Sequence, residues 1–318
     1  MNVLANDGIS KTGIDKLQNA GYNVITSKVN QENLITYINT NEIEILLVRS
    51  ATTVRKELID ACPKLKIIGR GGVGMDNIDV EYARSNNRIV LNTPSASSQS
   101  VAELVIGHMF AISRSLNHSY KEMESGDFKS LKKKYSKGVE LRGKNLLIIG
   151  FGRIGKSLAS YAIGIGMNVS AVDMLSEPVE IKINIGNNIN TKTTILPSPN
   201  MMEKIKDADF ISLHIPKQAD GSAVFNEKEF NQMKDGVFII NAARGGVINE
   251  NDLIKFLDNG KIAGVALDVF ENEPNPNKKL LSHPLIACSP HIGAATKEAQ
   301  DRIGTELAEK IISELGQK

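Results

Sequence analysis

A glycine-rich turn follows an apolar run near the middle of the chain. Residues 146–149 are Leu-Leu-Ile-Ile, and Gly150, Gly152 and Gly155 follow in the pattern Gly-x-Gly-x-x-Gly before a segment of helical composition. A buried strand that turns directly into a helix points unpaired backbone N–H groups and the positive end of the helix dipole at one place, which suits a pyrophosphate. Gly150 would make the tight turn, Gly152 would let the backbone approach the phosphates, and Gly155 would let strand and helix pack closely. The spacing predicts a dinucleotide site at Gly150, Gly152, Arg153, Ile154 and Gly155.

An aspartate lies at the end of the next apolar run. Residues 169–172 are followed by Asp173, near the distance of about 20 residues from the glycine turn at which a carboxylate meets the hydroxyls of the adenine ribose. Met174 and Leu175 come next, so no cation is available for a 2′-phosphate, which Asp173 would also repel. The two signals together predict NAD rather than NADP. The alternative is an ordinary glycine turn with an aspartate placed by chance.

Three residues that could act on a small acid stand shortly after apolar runs in the second half of the chain. They are Arg244, Glu273 and His291. Ligands of open α/β sheets bind at the carboxyl ends of the strands, so residues in these positions are candidates. Arginine grips a carboxylate with its planar fork, histidine accepts a proton near neutral pH, and a glutamate can orient the histidine. Each also has a simpler explanation: a surface ion pair for Arg244, a turn before proline for Glu273 and an ordinary loop position for His291.

Other histidines and a cysteine offer alternative uses of the same regions. Cys288 with His291 would form a nucleophilic pair that needs no nucleotide, but the apolar run before Cys288 predicts burial, which opposes a reactive thiolate. His214 ends an apolar run and is expected to line the cofactor cleft. His108 and His118 lie in a helical segment, where packing or surface positions are expected.

Short apolar runs alternate with helix-like segments through both halves of the chain. In the first half they lie at 2–5, 23–25, 45–48, 66–68 and 89–91. In the second half they lie at 146–149, 169–172, 210–213, 237–240, 265–267 and 285–287. Strands that alternate with short helices indicate βαβ units and a parallel sheet. We therefore expect an α/β protein with two doubly wound parallel-sheet domains, which 318 residues can accommodate.

The connecting segments add three expectations. A polar run at 92–98 precedes a long helical segment at 100–124, which begins with Ser100 and Glu103 in the pattern of a capping box. A closing helix at 297–315 has apolar residues spaced by four and could pack on the first domain. Alternating isoleucines on both sides of Gly186-Asn187-Asn188 predict a β-hairpin within an insertion at 178–200, to which no function is assigned.

Composition excludes several classes of protein. The chain is 41% hydrophobic and 23% charged with a formal net charge of +2, which is typical of a globular chain and offers no electrostatic footprint for nucleic acid. No stretch is long and apolar enough to cross a bilayer, and the start reaches Asp7 before a signal-type apolar core can form. Cys62 and Cys288 lack metal or redox spacing, so we expect no metal site and a reduced compartment, the cytoplasm.

Four motifs stand in order in the second half of the chain. They are Gly-Phe-Gly-Arg-Ile-Gly at 150–155, Asn-Ala-Ala-Arg-Gly at 241–245, Leu-Asp-Val-Phe-Glu-Asn-Glu-Pro at 267–274 and Pro-His-Ile-Gly-Ala-Ala at 290–295. The set resembles the D-2-hydroxyacid dehydrogenase family over nearly the whole chain, and most of all its D-3-phosphoglycerate dehydrogenase branch. The formate dehydrogenase branch has glutamine in place of Glu273, which argues against that branch.

The resemblance implies a discontinuous architecture. A Rossmann NAD-binding domain, 98–287, would be inserted in a flavodoxin-like substrate-binding domain made of 1–97 and 288–318. The long helix would form a homodimer contact, as is usual in this family. The sequence ends at Lys318, directly after the closing helix, so a C-terminal regulatory domain is not expected.

The resemblance also implies roles for individual residues. Arg244 would clamp the substrate carboxylate, His291 would take the hydroxyl proton as hydride leaves C2, and Glu273 would orient the imidazole and favour its protonated form. Further NAD contacts would come from His214, Ile215, Pro216, Ala242, Ala243, Arg244, Asp268, His291, Gly293 and Ala294. Substrate contacts would come from Arg49, Ser50, Arg70, Gly72, Val73, Gly74 and Ser97, together with Arg244 and His291. Arg49 and Arg70 match basic positions of the phosphoglycerate branch, whereas Ser97 stands where that branch often has asparagine.

These features predict NAD-dependent oxidation of 3-phospho-D-glycerate to 3-phosphohydroxypyruvate, the first step of serine biosynthesis. One alternative is a glyoxylate or hydroxypyruvate reductase, or another D-2-hydroxyacid dehydrogenase. An alternative of another class is a non-catalytic NAD-sensing scaffold similar to the co-repressors that share this fold. The expected partners are a small 2-hydroxy acid, which would be phosphorylated if the protein oxidises 3-phospho-D-glycerate, and a second copy of the chain. No nucleic acid or membrane is expected as a partner.

Overall fold

The computed structural model describes residues 1–186 and 189–317. The chain divides into two compact units, one made of Met1–Ser100 with Ala294–Lys318 and the other of Val101–Gly293. The division lies a few residues beyond the predicted boundaries at 97/98 and 287/288. Ser98 to Ser100 belong to the first turn of a helix, and the loop that follows the last strand stays with the second unit as far as Gly293.

The first unit contains a five-stranded parallel sheet. Numbered along the whole chain, its strands are β1 (Asn2–Ala5), β2 (Asn23–Ile25), β3 (Ile43–Val48), β4 (Ile67–Arg70) and β5 (Ile89–Asn92). Its helices are α1 (Lys11–Asn19), α2 (Leu34–Thr40), α3 (Lys56–Ala61), α4 (Val80–Ser85) and α13 (Lys297–Leu315), and a 3-10 turn spans Gln31–Asn33. The strand order β2-β1-β3-β4-β5 is that of a flavodoxin-like doubly wound fold.

The closing helix α13 completes the core of this unit. Leu307, Ala308 and Ile311 are buried in one apolar cluster with Val3 of β1 and Leu47 of β3. A stripe of apolar residues spaced by four on a helix buries one face against a sheet. The expectation that the closing helix packs on the first domain is confirmed.

The second unit contains a six-stranded parallel sheet in the order β13-β12-β11-β10-β6-β7. Its strands are β6 (Asn145–Ile149), β7 (Asn168–Val172), β10 (Phe210–Leu213), β11 (Val237–Asn241), β12 (Ile262–Leu267) and β13 (Ile286–Cys288). Its helices are α5 (Ser98–Ser113, which begins in the first unit), α6 (Leu116–Glu122), α7 (Phe128–Lys134), α8 (Arg153–Gly164), α9 (Met201–Lys204), α10 (Glu227–Gln232), α11 (Glu250–Asp258) and α12 (Lys278–Leu281). A parallel bridge from Val172 to Ser198 lies beyond β7. With this bridge counted as a strand, the seven strands follow the order 3-2-1-4-5-6-7, which is the 3-2-1-4-5-6 order of a Rossmann domain extended by β13.

An antiparallel hairpin of β8 (Val179–Ile185) and β9 (Ile189–Ile195) is inserted between β7 and that bridge. Ile181, Ile183 and Ile195 are buried in the cluster that includes α8, and Ser160 Oγ of α8 donates a hydrogen bond to the Lys182 carbonyl at 2.8 Å. Parallel strands are usually connected by a helix at such a place, so the hairpin covers the sheet where a crossover helix would otherwise lie. The predicted hairpin is confirmed, although its turn residues Asn187 and Asn188 lie outside the described residues.

The long helix predicted at 100–124 is two helices, so this prediction is wrong. The break lies between α5 and α6, where Ser115 has a left-handed φ of 51°. The capping box is also wrong, because α5 already begins at Ser98 and places Ser100 inside the helix. The Ser98 N–H donates a hydrogen bond to the Ser95 carbonyl at 3.3 Å. The polar run therefore forms a turn at 95–98, and the helix begins two residues before the predicted start at Ser100. None of the helices in residues 1–186 and 189–317 is long and apolar enough to cross a membrane.

Candidate active site

The glycine turn between β6 and α8 has the shape that a pyrophosphate requires. A Cβ on Gly150, which has φ +91°, would lie 2.5 Å from the His214 carbonyl oxygen, and a Cβ on Gly155 would lie 2.4 Å from the Gly150 carbonyl oxygen. Gly152 is the N-cap of α8, has no side-chain cap, and has open space where a Cβ would be. Arg153 and Ile154 form the first helical residues. The turn therefore fits the phosphates of a dinucleotide at the N-terminus of α8.

Asp173 follows β7 and reaches the glycine turn. Its Oδ2 accepts a hydrogen bond from the Phe151 N–H at 2.6 Å, and its Oδ1 accepts one from the Leu175 N–H at 3.2 Å. A carboxylate has about four lone-pair positions, so further donors such as ribose hydroxyls can bind. The structure thus places the Asp173 carboxylate beside the glycine turn.

The loop after β10 forms the other wall of the turn. His214 is followed by Ile215 and Pro216, and His214 Nε2 lies 2.9 Å from Ser212 Oγ. Burial lowers the pKa of the His214 imidazole to about 4, so this ring is neutral at physiological pH. His214 thus contributes its backbone carbonyl to the turn and an uncharged ring to the interior.

The loop after β11 carries Arg244 on a rigid base. Asn241 Nδ2 donates to the Arg244 carbonyl and Asn241 Oδ1 accepts from the Ala243 N–H, both at 3.0 Å, with Ala242 between them. A Cβ on Gly245 would lie 1.7 Å from the Phe270 carbonyl oxygen, so only glycine permits this approach. The contact brings the arginine loop against the loop after β12, and Arg244 lies near enough to Glu273 to contribute to the lowering of its pKa.

Glu273 and His291 form a hydrogen-bonded pair. Their Oε2 and Nδ1 atoms are 2.7 Å apart, and Glu273 Oε1 also accepts from the Phe270 N–H at 2.9 Å. Burial raises the pKa of the Glu273 carboxyl, but hydrogen bonds from His291 and Phe270 and the charges of His291 and Arg244 outweigh this and leave it below its usual value. An ionised Glu273 requires a proton on Nδ1 of His291, which leaves Nε2 as the nitrogen that can accept one. His291 has a left-handed φ of 54°, an unfavourable conformation that is characteristic of functional positions.

Asp268 holds the loop that carries His291. It is 1% exposed, and its carboxylate accepts hydrogen bonds from Ser289 Oγ at 2.5 Å, from the Ile292 N–H at 2.9 Å and from the Gly293 N–H at 2.8 Å. Ser289 Oγ lies 2.9 Å from Nε2 of the buried His108. Ser289 is not among the residues predicted from the sequence, and for His108 only a packing or surface position is expected. The sequence signal that could have identified Ser289 is its position, since it is a hydroxyl residue between the last apolar run and Pro290-His291.

A cavity of about 370 Å³ lies behind the Glu273–His291 pair, with Phe270, Pro274, Leu281 and Cys288 among its lining residues. Burial raises the pKa of the Cys288 thiol to about 11, with a contribution from the Glu250 charge. A thiol with so high a pKa is not a nucleophile at neutral pH. The burial of Cys288 and its high pKa therefore argue against the alternative in which Cys288 and His291 form a nucleophilic pair.

The predicted substrate residues of the first unit lie at the carboxyl edge of its sheet. Val48 of β3 pairs with Arg70 of β4, and the Gly71 N–H bonds the Val48 carbonyl at 2.9 Å, so the two arginine loops are neighbours. A Cβ on Gly71 would lie 3.6 Å from Arg49 Cγ, and a Cβ on Gly72 would lie 1.5 Å from Arg70 Nη1. Both arginine side chains therefore run over the same glycine pair.

Three of the remaining predicted substrate residues lie on the same loops. Ser50 is exposed directly after Arg49, Val73 accepts a hydrogen bond on its carbonyl from Asn92 Nδ2 at 2.7 Å, and Gly74 follows it. Ser97 is 2% exposed and lies after β5, in the stretch that leads into α5. Ala294, which was predicted as an NAD contact, begins the C-terminal part of the first unit. Within the described ranges, no group of three or more His, Cys, Asp or Glu side chains is arranged to hold a metal ion.

Comparisons with known proteins agree with this architecture. Residues 106–293 match the family model of the D-isomer specific 2-hydroxyacid dehydrogenase NAD-binding domain. The chain is 40% identical over 318 residues to a hydroxypyruvate reductase of Thermotoga maritima, covering 99% of this chain and 98% of that one. It is 38% identical to a D-3-phosphoglycerate dehydrogenase of Methanocaldococcus jannaschii over 97% of this chain, and spans only 56% of that relative's length. A glyoxylate reductase structure from Paecilomyes thermophila superimposes with a TM-score of 0.84 at 26% identity, covering 99% of this chain and 96% of that one.

The chain belongs to the D-isomer specific 2-hydroxyacid dehydrogenase family. It is an NAD-dependent oxidoreductase of the class that acts on small 2-hydroxy acids, and its second unit is the NAD-binding domain.

Proposed function

We propose that the protein oxidises 3-phospho-D-glycerate to 3-phosphohydroxypyruvate with NAD. The observation that carries this proposal is the pair of arginine side chains that run over Gly71 and Gly72. Among the residues that the structure describes, no carboxylate lies within ion-pair distance of the Arg49 guanidinium. An unneutralised arginine at the carboxyl edge of a sheet suits a dianionic phosphate. The 36–38% identity to several D-3-phosphoglycerate dehydrogenases supports the same substrate.

The residues of the second unit suit the oxidation itself. Bound NAD would accept the hydride that leaves C2 of the substrate. Arg244 would bind the substrate carboxylate through its planar fork, which fixes the C2 hydroxyl near His291. Nε2 of His291 would take the hydroxyl proton as the carbonyl forms, and the Glu273 carboxylate would stabilise the resulting imidazolium at 2.7 Å. In the reverse direction the same nitrogen would return the proton to the carbonyl oxygen.

Reduction of hydroxypyruvate or glyoxylate is the second candidate. It is supported by the hydroxypyruvate reductase of Thermotoga maritima, which this chain matches over 98% of that relative's length. The same catalytic residues would serve, and Arg49 would have no phosphate to bind.

A substrate comparison separates these candidates. We expect NAD reduction with 3-phosphoglycerate at a kcat/KM at least tenfold above that for glycerate, measured by NADH absorbance. NADH oxidation with hydroxypyruvate and glyoxylate is measured in parallel. Preference for the unphosphorylated acids would overturn the phosphate proposal in favour of the reductase. Binding of NAD without turnover of any of these acids would leave the non-catalytic scaffold.

A homodimer completes the proposal. It is supported by exposed large apolar side chains within residues 110–128 of the second unit, which we call the apolar segment. They are Phe110, Leu116, Tyr120, Met123 and Phe128, which are 41% to 87% exposed. Exposed apolar side chains that gather in one region of a chain are candidates for a protein interface.

A further inference from the structure

The loop that follows β3 in the first unit is held by side chains from two other loops. Asp7 Oδ2 accepts hydrogen bonds from the Arg49 N–H at 2.7 Å and from the Thr52 N–H at 3.1 Å. Asn77 Nδ2 donates to the Arg49 carbonyl at 2.7 Å and to the Thr52 carbonyl at 2.6 Å. Both backbone groups at each end of loop 49–52 are therefore fixed, the amides by a carboxylate and the carbonyls by an amide.

Asp7 is buried but remains charged. Its side chain is 3% exposed, forms an ion pair with Lys28 and accepts a hydrogen bond from the Thr52 hydroxyl at 2.7 Å. Burial raises the pKa of the Asp7 carboxyl, but Lys28, the Arg49 N–H and the Thr52 hydroxyl outweigh this and hold the pKa below its usual value. Asn6 adds a hydrogen bond from its Nδ2 to Thr52 Oγ1 at 2.8 Å. A charged acceptor of several N–H and O–H donors makes the stronger kind of hydrogen bond.

A fixed backbone matters most for a long side chain that must meet a ligand. The Arg49 side chain starts at the first anchored residue of the loop and runs over Gly71, while Ser50 follows it in the middle of the loop. Binding must immobilise the guanidinium, which costs rotamer entropy. Any freedom of the backbone would add to that cost and spread the guanidinium over several positions.

We propose that Asp7 and Asn77 are positioning residues for recognition of the substrate phosphate, acting through loop 49–52 on Arg49 and Ser50. This inference rests on the proposed function, because it takes Arg49 as the residue that binds the phosphate. Neither Asp7 nor Asn77 need touch the substrate. Their removal should weaken binding of the phosphorylated acid and leave the hydride and proton transfers in the second unit intact.

The test is Asp7→Asn, assayed with 3-phosphoglycerate, with hydroxypyruvate and for NAD affinity. The amide keeps the size of the side chain but loses the charge that holds both amides, the Thr52 hydroxyl and Lys28. We expect KM for 3-phosphoglycerate to rise about tenfold, with kcat, KM for hydroxypyruvate and NAD affinity within twofold of the wild type. The ratio of the two KM values is the decisive reading, since a general loss of structure would raise both.

Asp209→Asn is the matched control. Asp209 also accepts a backbone N–H, that of Asn145, at 2.9 Å and pairs with a lysine, Lys234, at 2.6 Å, with a pKa that burial raises and these contacts lower more strongly. It lies at the amino edge of the second sheet, so its loss should change neither KM. Asn77→Ser is the second variant and should raise KM for the phosphorylated acid in the same way, which keeps the inference testable if Asp7→Asn does not fold.

An unchanged KM ratio in folded Asp7→Asn or Asn77→Ser would overturn the inference. An equal rise in both KM values would also overturn it, because the loop would then serve the whole substrate or the fold. The proposed function fails by a different measurement, the absence of 3-phosphoglycerate turnover by the wild type. The two failures are therefore distinguishable.

Discussion

Burial lowers the pKa of two histidines of the second unit, whereas a third histidine is partly exposed and pairs with a carboxylate. His214 is buried with a pKa of about 4, and burial also lowers the pKa of His108, against the opposing charge of Asp268. Both rings are neutral at physiological pH and serve as hydrogen-bond partners. The His291 side chain is 41% exposed and is paired with the Glu273 carboxylate. Of these three residues, His291 is the one placed to exchange a proton with a substrate.

The low pKa of His214 predicts a loss of stability in mild acid. Its folded pKa is below the unfolded value of about 6.5, so the unfolded chain binds the proton more readily and stability falls as pH drops below about 6.5 towards 4. At pH 5 the loss from this residue is about 2 kcal/mol. Thermal melting followed by circular dichroism at pH 7 and pH 5 should show a smaller drop for His214→Gln than for the wild type. An equal drop in both proteins would contradict the assignment.

At the scale of elements, the strands and their carboxyl ends could be predicted, but the contacts between distant loops could not. Apolar runs are directly visible in sequence, so the strands near Asp173 and Arg244 follow from the pattern. The link from His108 through Ser289 to Asp268 joins residues up to 181 positions apart and leaves no periodic signal. The helix break depends on one left-handed residue, Ser115, whose type does not demand that conformation. The position of Asp7 could have been predicted, because an acid two residues after an apolar strand lies near the carboxyl edge of a sheet.

Ser289→Ala tests the support of the His291 loop. The change removes a donor from buried Asp268 and leaves Nε2 of His108 without its partner, which should cost about 1–3 kcal/mol of stability. We also expect kcat to fall several-fold, because the Ile292 and Gly293 amides lose part of their anchor. Denaturation midpoints and steady-state kinetics measure the two effects. Ser289→Thr keeps the hydroxyl and should retain both properties, and Ser282→Ala, which removes a hydroxyl bonded to the Lys279 carbonyl at 3.3 Å, should be neutral.

At the scale of the whole molecule, the two units have their own sheets and their own apolar cores. The cores of the first unit are centred on the two faces of its five-stranded sheet, and those of the second unit on the faces of its six-stranded sheet. The apolar segment 110–128 belongs to the second unit alone. It therefore points to an association of NAD-binding domains in the proposed homodimer.

The double variant Tyr120→Glu with Phe128→Glu tests that association. These side chains are 87% and 67% exposed, so the substitutions should not disturb the folded chain. We expect light scattering after gel filtration to give a dimer for the wild type and a monomer for the variant. Leu196→Glu, which changes an apolar residue with 63% exposure outside the apolar segment, is the control and should remain dimeric. A monomeric wild type would contradict the proposed homodimer.

The closing helix α13 has a consequence for synthesis of the protein. Val3 and Leu47 are packed in one cluster with Leu307 and Ile311, which the ribosome translates at least 260 codons later. One apolar face of the first-unit sheet therefore stays uncovered on the nascent chain while the second unit emerges and folds. Until α13 has been synthesised, that face is exposed to chaperones and to aggregation, and truncation before residue 307 would leave it uncovered.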